Sequence, residues 1–275
     1  MEPKPGTMVT PKVRLARPLG AGGMGSVWVA DHLALEVEVA VKLISAEALQ
    51  RDPGLAERFK REAAVAAKIK SPHVVQMHDH GLTDDGTPYI VMELLAGESL
   101  RERLERCERL SPRETGLMLA QVAEVLSTAH AMGVVHRDLK PDNVFLVCSG
   151  YEIFVKVLDF GIAKHQGPAA GRPLTRTDAV MGTPEYMSPE QLLSAKAVDH
   201  RADLWALGVV VYEALTGWRP FHGETQAQTG HDRGAAARDA GQDRAGLDHP
   251  DQERLPGAQL RERAPAAGQA ARGPQ

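Results

Sequence analysis

The chain has 275 residues, 43% of them hydrophobic and 25% charged, with a formal net charge of −4. That balance suits a soluble globular protein and excludes a general nucleic-acid binder, because no Lys/Arg block is long enough to form a polyanion stripe. Cys107 and Cys148 lie in no metal-ligand spacing, the first ten residues lack the apolar run of a secretory signal, and the longest apolar run, Leu204 to Leu215, is too short for a bilayer, so a cytoplasmic protein is expected.

From Lys12 to about Met92 short alternating segments dominate: VRLARPLG, SVWVADH, VEVAVKLI, VVQMHDHG and PYIVMEL, punctuated by glycine or proline and by one helix. The pattern predicts a small antiparallel sheet with a helix. In LGAGGMGSV, Gly20, Gly22 and Gly25 have the G-x-G-x-x-G spacing, followed by Val27. Glycines there let backbone N–H groups approach phosphate oxygens, and a plain glycine turn would look the same. A dinucleotide-binding fold needs a helix directly after such glycines, whereas two alternating strands come next, so the glycines turn a hairpin.

The period of two in VEVAVKL puts Val37, Val39, Val41 and Leu43 on one face and Ala40 beside Lys42 on the other. A small residue next to a cation leaves room for a flat ring and a phosphate; a solvent-facing strand lysine is the plainer alternative. In LAERFKREAAVAAKI, Leu55, Phe59, Ala66 and Ile69 mark an inward helical stripe on which Glu62 also falls. An inward carboxylate wants a cation, and Lys42 is the expected partner; the alternative is a Glu62 that pairs with Arg58 on the same helix or turns outward to solvent.

From Ser99 to about Leu215 helical periods take over: Ser99 to Arg106, Pro112 to Met132 with Ser111 as N-cap, and a core helix at Leu204 to Leu215. Between the last two stands HRDLKPDN. In it Asp138 can accept or orient a hydroxyl proton, Lys140 offers a cation to a transferring phosphoryl group, Asn143 supplies an oxygen to a hard divalent ion, and Pro141 stiffens the loop. In VLDFG, Asp159 ends an apolar strand, a position suited to Mg²⁺.

The glycine loop, Lys42, Glu62, HRDLKPDN, DFG and MGTPEYMSPE occur in an order that resembles the eukaryotic-type Ser/Thr protein kinases, particularly their bacterial branch. The resemblance implies an α+β fold of two lobes, a small antiparallel-sheet lobe over residues 12–95 and a mainly helical one over 96–222, truncated after the central helix. It implies ATP and Mg²⁺ as cofactors: Leu19, Gly20, Gly22, Gly25, Val27, Ala40, Lys42, Glu62, Met92 as gatekeeper, Glu93 at the hinge and Asp159 would bind ATP, and Asn143 and Asp159 the metal. Asp138 would be the catalytic base, with Lys140 on the γ-phosphate. HRDLKP is similar to the Ser/Thr form of this loop, so protein serines and threonines are the expected acceptors. Arg137 resembles the arginine that grips an activation-loop phosphate, with Thr175 and Thr177 the expected phosphosites and a homodimer as one route to autophosphorylation. Thr183 would seat the substrate, Ser188-Pro189-Glu190 stands for the more usual Ala-Pro-Glu, and Asp203 would anchor the backbone at His136 and Arg137, with a plain N-cap role as the alternative and the two able to coexist. A non-catalytic nucleotide-binding or interaction module is the rival reading.

After His222 the composition shifts, and Leu247, Leu255 and Leu260 are the large apolar residues among Ala, Gly, Gln, Arg, Asp and Pro. Such a segment, 223–275, does not offset its own ordering entropy and is expected to be disordered; it also suits a GC-rich coding region read out of frame. The resemblance implies further helices here that cover Leu204 to Leu215 and supply an arginine to the glutamate of SPE; this composition offers none, so Glu190 is expected to be unpaired and the chain poorly stable and weakly active.

Overall fold

The computed structural model describes residues 3–149, 152–160, 184–193 and 198–221. The chain divides into two units, Met1–Ala236 and Ala237–Gln275, and every described residue lies in the first. Gly161, Thr175, Thr177, Thr183 and the expected tail lie outside the described residues.

Six strands form one sheet: β1 (Met8–Thr10), β2 (Val13–Gly22), β3 (Gly25–His32), β4 (Val37–Ile44), β5 (Met77–Leu82) and β6 (Pro88–Glu93), in the order β1-β2-β3-β4-β6-β5. The pairs are antiparallel, and one line of partners runs Gly20, Val27, Lys42, Ile90 across β2, β3, β4 and β6. Directly paired residues point to the same face. One face therefore carries Val39, Val41 and Leu43, which pack with Leu15, Trp28 and Val91 in a single cluster. The other carries Ala40, Lys42 and Ile44, the division expected from the alternation. Val37 is the exception: at the start of β4 it is 51% exposed.

Against the Lys42 face lies α2 (Leu55–Ala66), whose Leu55, Phe59 and Ala63 pack with Ile44, Ala48 and Ile90. Leu55 and Phe59 are fully buried, each stabilising the lobe by roughly 1.5–3 kcal/mol. Before it stands a short helix not anticipated from the pattern, α1 (Ala46–Arg51), which Ser45 caps by accepting from the Ala48 N–H. The stretch VVQMHDHG divides. Its second half is β5, but Val74 bridges Val157 and the Val75 N–H donates to the Val157 carbonyl, tying the sheet to the mainly helical half of the fold.

That half is built around a second, three-stranded sheet of β7 (Gly97–Ser99), β8 (Val144–Ser149) and β9 (Glu152–Val157). Helices α3 (Leu100–Cys107) and α4 (Pro112–Ala131) both begin with a Ser-x-x-Glu capping box, Ser99 with Glu102 and Ser111 with Glu114. They pack with α6 (Arg201–Thr216) over one core that includes Leu100, Met118, Leu126, Leu139 and Val210. α5 (Pro189–Leu193) and short 3-10 turns at Pro141–Asn143 and Pro184–Tyr186 complete the elements described. α6 meets the expectation of a core helix on one side only, in keeping with the expected loss of its cover. Ala206, Leu207 and Val210 face the core, while Leu204, Tyr212 and Leu215 are 53%, 47% and 39% exposed. With 3.6 residues per turn, these three residues share the outer stripe of the helix.

Candidate active site

The glycine run forms the β2–β3 hairpin, with Gly22 paired to Gly25 and Gly23–Met24 at the tip. Its glycines are not equivalent. A Cβ on Gly25 would sit 1.9 Å from the Leu43 carbonyl oxygen, so the sheet itself requires that glycine. At Gly20 and Gly22 a Cβ would meet nothing within 4 Å. The fold has no need of glycine there, and the open space suits an approaching phosphate.

Lys42 projects from β4 and donates to Asp159 Oδ2 at 2.6 Å. Glu62, its expected partner, lies in α2, but its side chain is outside the described residues. Burial works against ionisation of Asp159, yet the Lys42 ammonium, aided by Lys140, holds its pKa below the usual carboxylate value. Asp159 lies just beyond β9 at φ 42. A non-glycine residue there costs of order 1–3 kcal/mol and persists only where its surroundings hold it, as the Lys42 pair does.

The loop between α4 and β8 brings Asp138, Lys140 and Asn143 together. Asn143 Nδ2 donates to the Asp138 carbonyl at 2.7 Å and to its Oδ2 at 3.2 Å, which leaves the amide oxygen outside that hold. Lys140 Nζ is 3.9 Å from Asp138 Oδ2. The Leu158 N–H donates to the Asn143 carbonyl at 2.9 Å, bringing the residue before Asp159 against the same loop. His136, fully buried, accepts from the Asp138 N–H at Nδ1, so its proton is on Nε2, 3.0 Å from the Leu158 carbonyl. Its ring packs on Phe160 with centroids 4.8 Å apart.

Asp203 fixes the start of this loop. Its carboxylate, 1% exposed, accepts from the backbone N–H groups of His136 and Arg137 at 2.8 and 2.7 Å and faces His130 Nε2 at 2.7 Å. Those bonds hold Arg137 at φ 62. Asp203 is therefore the expected anchor and not a cap, since His200 stands at the N-cap of α6.

On the sheet side, Val27 lies in β3, Ala40 is paired with Met92, and Leu19 is 48% exposed near the end of β2. The Glu93 carboxylate accepts from the Gln76 N–H at 2.7 Å and from Lys156 at 2.6 Å, so the chain joining the lobes is strapped from β9. Among the described residues no cation stands within ion-pair distance of Glu190.

A second ionic cluster was not read from the sequence. Arg101 of α3 pairs with Glu213 of α6 at 2.9 Å, bonds Tyr186, and approaches Asp142 of the loop at 3.9 Å, while the Tyr186 hydroxyl also donates to Glu213. Glu213 and Tyr186 are 4% and 3% exposed, and burial, with the Glu213 contact second, pushes the tyrosine pKa up. Glu213 interrupts an apolar run, and the rule applied to Glu62 would have demanded a cation for it as well.

This geometry offers a carboxylate beside a loop cation, oxygen donors from two segments, and a glycine turn with room above it. It can accept a hydroxyl proton and neutralise an anionic group passing to that hydroxyl.

Residues 13–252 match the protein kinase domain family, a span that continues past Gly223. Similar curated proteins include the serine/threonine-protein kinase PknA of Mycobacterium tuberculosis, 43% identical over 228 residues, 82% of this chain and 51% of that protein. They also include the serine/threonine-protein kinases Pkn1 and pkn3 of Myxococcus xanthus. Pkn1 is 46% identical over 215 residues, 77% of this chain and 30% of that protein. For pkn3 the identity is 41% over 226 residues, 80% of this chain and 40% of that protein. The chain thus spans about half the length of PknA and less of the other two.

Proposed function

Since the chain belongs to the protein kinase family, in its bacterial Ser/Thr branch, we propose that it transfers the γ-phosphoryl group of Mg-ATP to serine and threonine hydroxyls of proteins. The observation that carries this reading is the joining of Asp138, Lys140 and Asn143 in one loop to the Leu158–Asp159 segment, with Lys42 reaching Asp159 from the sheet.

In this reading Asp138 orients the acceptor hydroxyl and takes its proton, and Lys140 offsets charge on the transferring group. A divalent ion held by the Asn143 amide oxygen and the Asp159 carboxylate would supply neutralisation of the phosphates, and both are hard oxygen donors suited to it. Lys42 is the cation on the sheet side, and the Gly20 and Gly22 backbones leave room for the phosphates. Leu19, Val27, Ala40 and Met92 offer an apolar lining for adenine, with Glu93 at the hinge. Thr175 and Thr177 are the proposed autophosphorylation sites, reached by a second copy of the chain, and Thr183 the residue that seats the acceptor. Among the described residues no helix is long and apolar enough to cross a membrane.

The test is incorporation of label from γ-labelled ATP with Mg²⁺. Asp138→Asn should lower incorporation by at least about 100-fold while Mg-ATP binding persists; Lys42→Met should weaken binding itself. Equal labelling by wild type and Asp138→Asn would remove Asp138 from its role, and ATP binding without transfer by the wild type would favour a non-catalytic nucleotide-binding module.

A further inference from the structure

The tip of the glycine hairpin is held from outside by one short helix. Arg51, the last residue of α1, donates from Nη2 to the Gly23 carbonyl at 2.9 Å. Ser45, its N-cap, donates its backbone N–H to the Met24 carbonyl at 2.9 Å. Two adjacent carbonyls at the tip are thus gripped by the two ends of α1. Among the described residues, no other group outside β2 and β3 bonds to Gly23 or Met24. Packing supplies little restraint there, since a Cβ at Gly20, Gly22 or Gly23 would meet nothing within 4 Å. Arg51 is itself steadied by donating from Nε to the Glu47 carbonyl at 3.2 Å.

We propose that α1 is a clasp on the glycine hairpin and that Arg51 is a positioning residue for the nucleotide's phosphates, an inference that rests on the nucleotide reading above. A glycine-rich tip samples many backbone conformations, and freezing them at the moment of binding is costly. Drawing the Gly23 and Met24 carbonyls toward α1 restricts the tip beforehand. The hairpin amides then meet phosphates in a preset arrangement, and the same grip slows the opening through which nucleotide leaves. The guanidinium forms a charge-assisted bond and, being exposed, can be replaced without disturbing a core.

The experiment uses the full chain, wild type and with Arg51→Gln or Arg51→Lys. It reads release of a fluorescent ADP in Mg²⁺ by stopped flow and, without nucleotide, amide exchange at Met24, Gly25 and Ser26. Losing one charge-assisted bond at an exposed site should speed ADP release about fivefold in Arg51→Gln, with Arg51→Lys intermediate. Tip exchange should quicken in parallel while the melting temperature stays at the wild-type value, as a merely structural role would not allow. Release within twofold of wild type in Arg51→Gln would overturn the inference, whether or not tip exchange changes. Failure of the wild type to bind fluorescent ADP at all would instead bring down the nucleotide reading, and unchanged tip exchange in that case would dispose of the clasp as well.

Discussion

Asp159 stands at φ 42 with the Lys42 ammonium 2.6 Å from its carboxylate, so one side chain carries both a backbone cost and the ion pair that offsets it. Its pKa in the folded chain lies below the ordinary 3.8, because Lys42, aided by Lys140, outweighs the effect of burial. A carboxyl depressed in this way binds fewer protons folded than unfolded. It therefore stabilises the fold above the unfolded pKa, and that contribution is lost as pH falls through the folded one. Asp159→Asn should accordingly lie furthest below wild type in stability at about pH 6, with the gap closing toward about pH 3 when both are unfolded in urea. A gap independent of pH would mean that the pair with Lys42 contributes nothing. The sequence made Asp159 legible through its place at the end of an apolar strand, and Asp138, Lys140 and Asn143 through their spacing. It named Glu62 as the partner of Lys42 because helical periodicity marks the face of a carboxylate. The Glu62 side chain lies outside the described residues, and the bond that Lys42 makes to Asp159 spans 117 positions of sequence, a range on which periodicity is silent.

The elements most legible beforehand were those with repeated signals. Alternation in β4 gave the correct division of its faces, and helical periodicity, with Ser111 as N-cap, located α3 and α4. β1 and α1, three and six residues long, are too short for either period to register. What joins the elements was less legible still, and Arg101–Glu213 is the clearest case. It ties α3 to α6, and through Tyr186 and Asp142 it reaches both the turn before α5 and the loop that carries Asp138. Arg101→Met alone leaves a carboxylate that is 4% exposed without its cation, at a cost of about 3–5 kcal/mol. Arg101→Met with Glu213→Gln removes both charges and should recover most of that loss. Urea unfolding of the four proteins in this cycle decides the matter: strictly additive losses would show that the two residues do not act as a pair.

At the scale of the molecule, the two long helices of the second core differ in how they are covered. α4 buries Met118, Val122, Val125, Leu126 and Ala129 completely or nearly so. α6 buries an inner face that holds Asp203 and Glu213, whereas Leu204, Tyr212 and Leu215 line its outer stripe and Trp218 just beyond it is 71% exposed. Composition leads to the expectation of a chain short of stability, and this exposed stripe is the place in the described fold where such a shortfall would arise. Each apolar side chain left in water forgoes roughly 25 cal/mol per Å² that burial would have contributed, while the backbone bonds beneath it open more readily to solvent. Native-state amide exchange should therefore find the middle of α6 less protected than that of α4, by at least about tenfold in opening equilibrium, or about 1.4 kcal/mol. Leu204→Lys and Leu215→Lys should change stability by less than about 0.5 kcal/mol each, because neither removes a buried contact, and should lower the binding of an apolar dye. Equal protection of the two helices, or losses of about 2 kcal/mol or more on either substitution, would mean that the outer stripe is covered in solution, and the expected instability would then have to come from elsewhere.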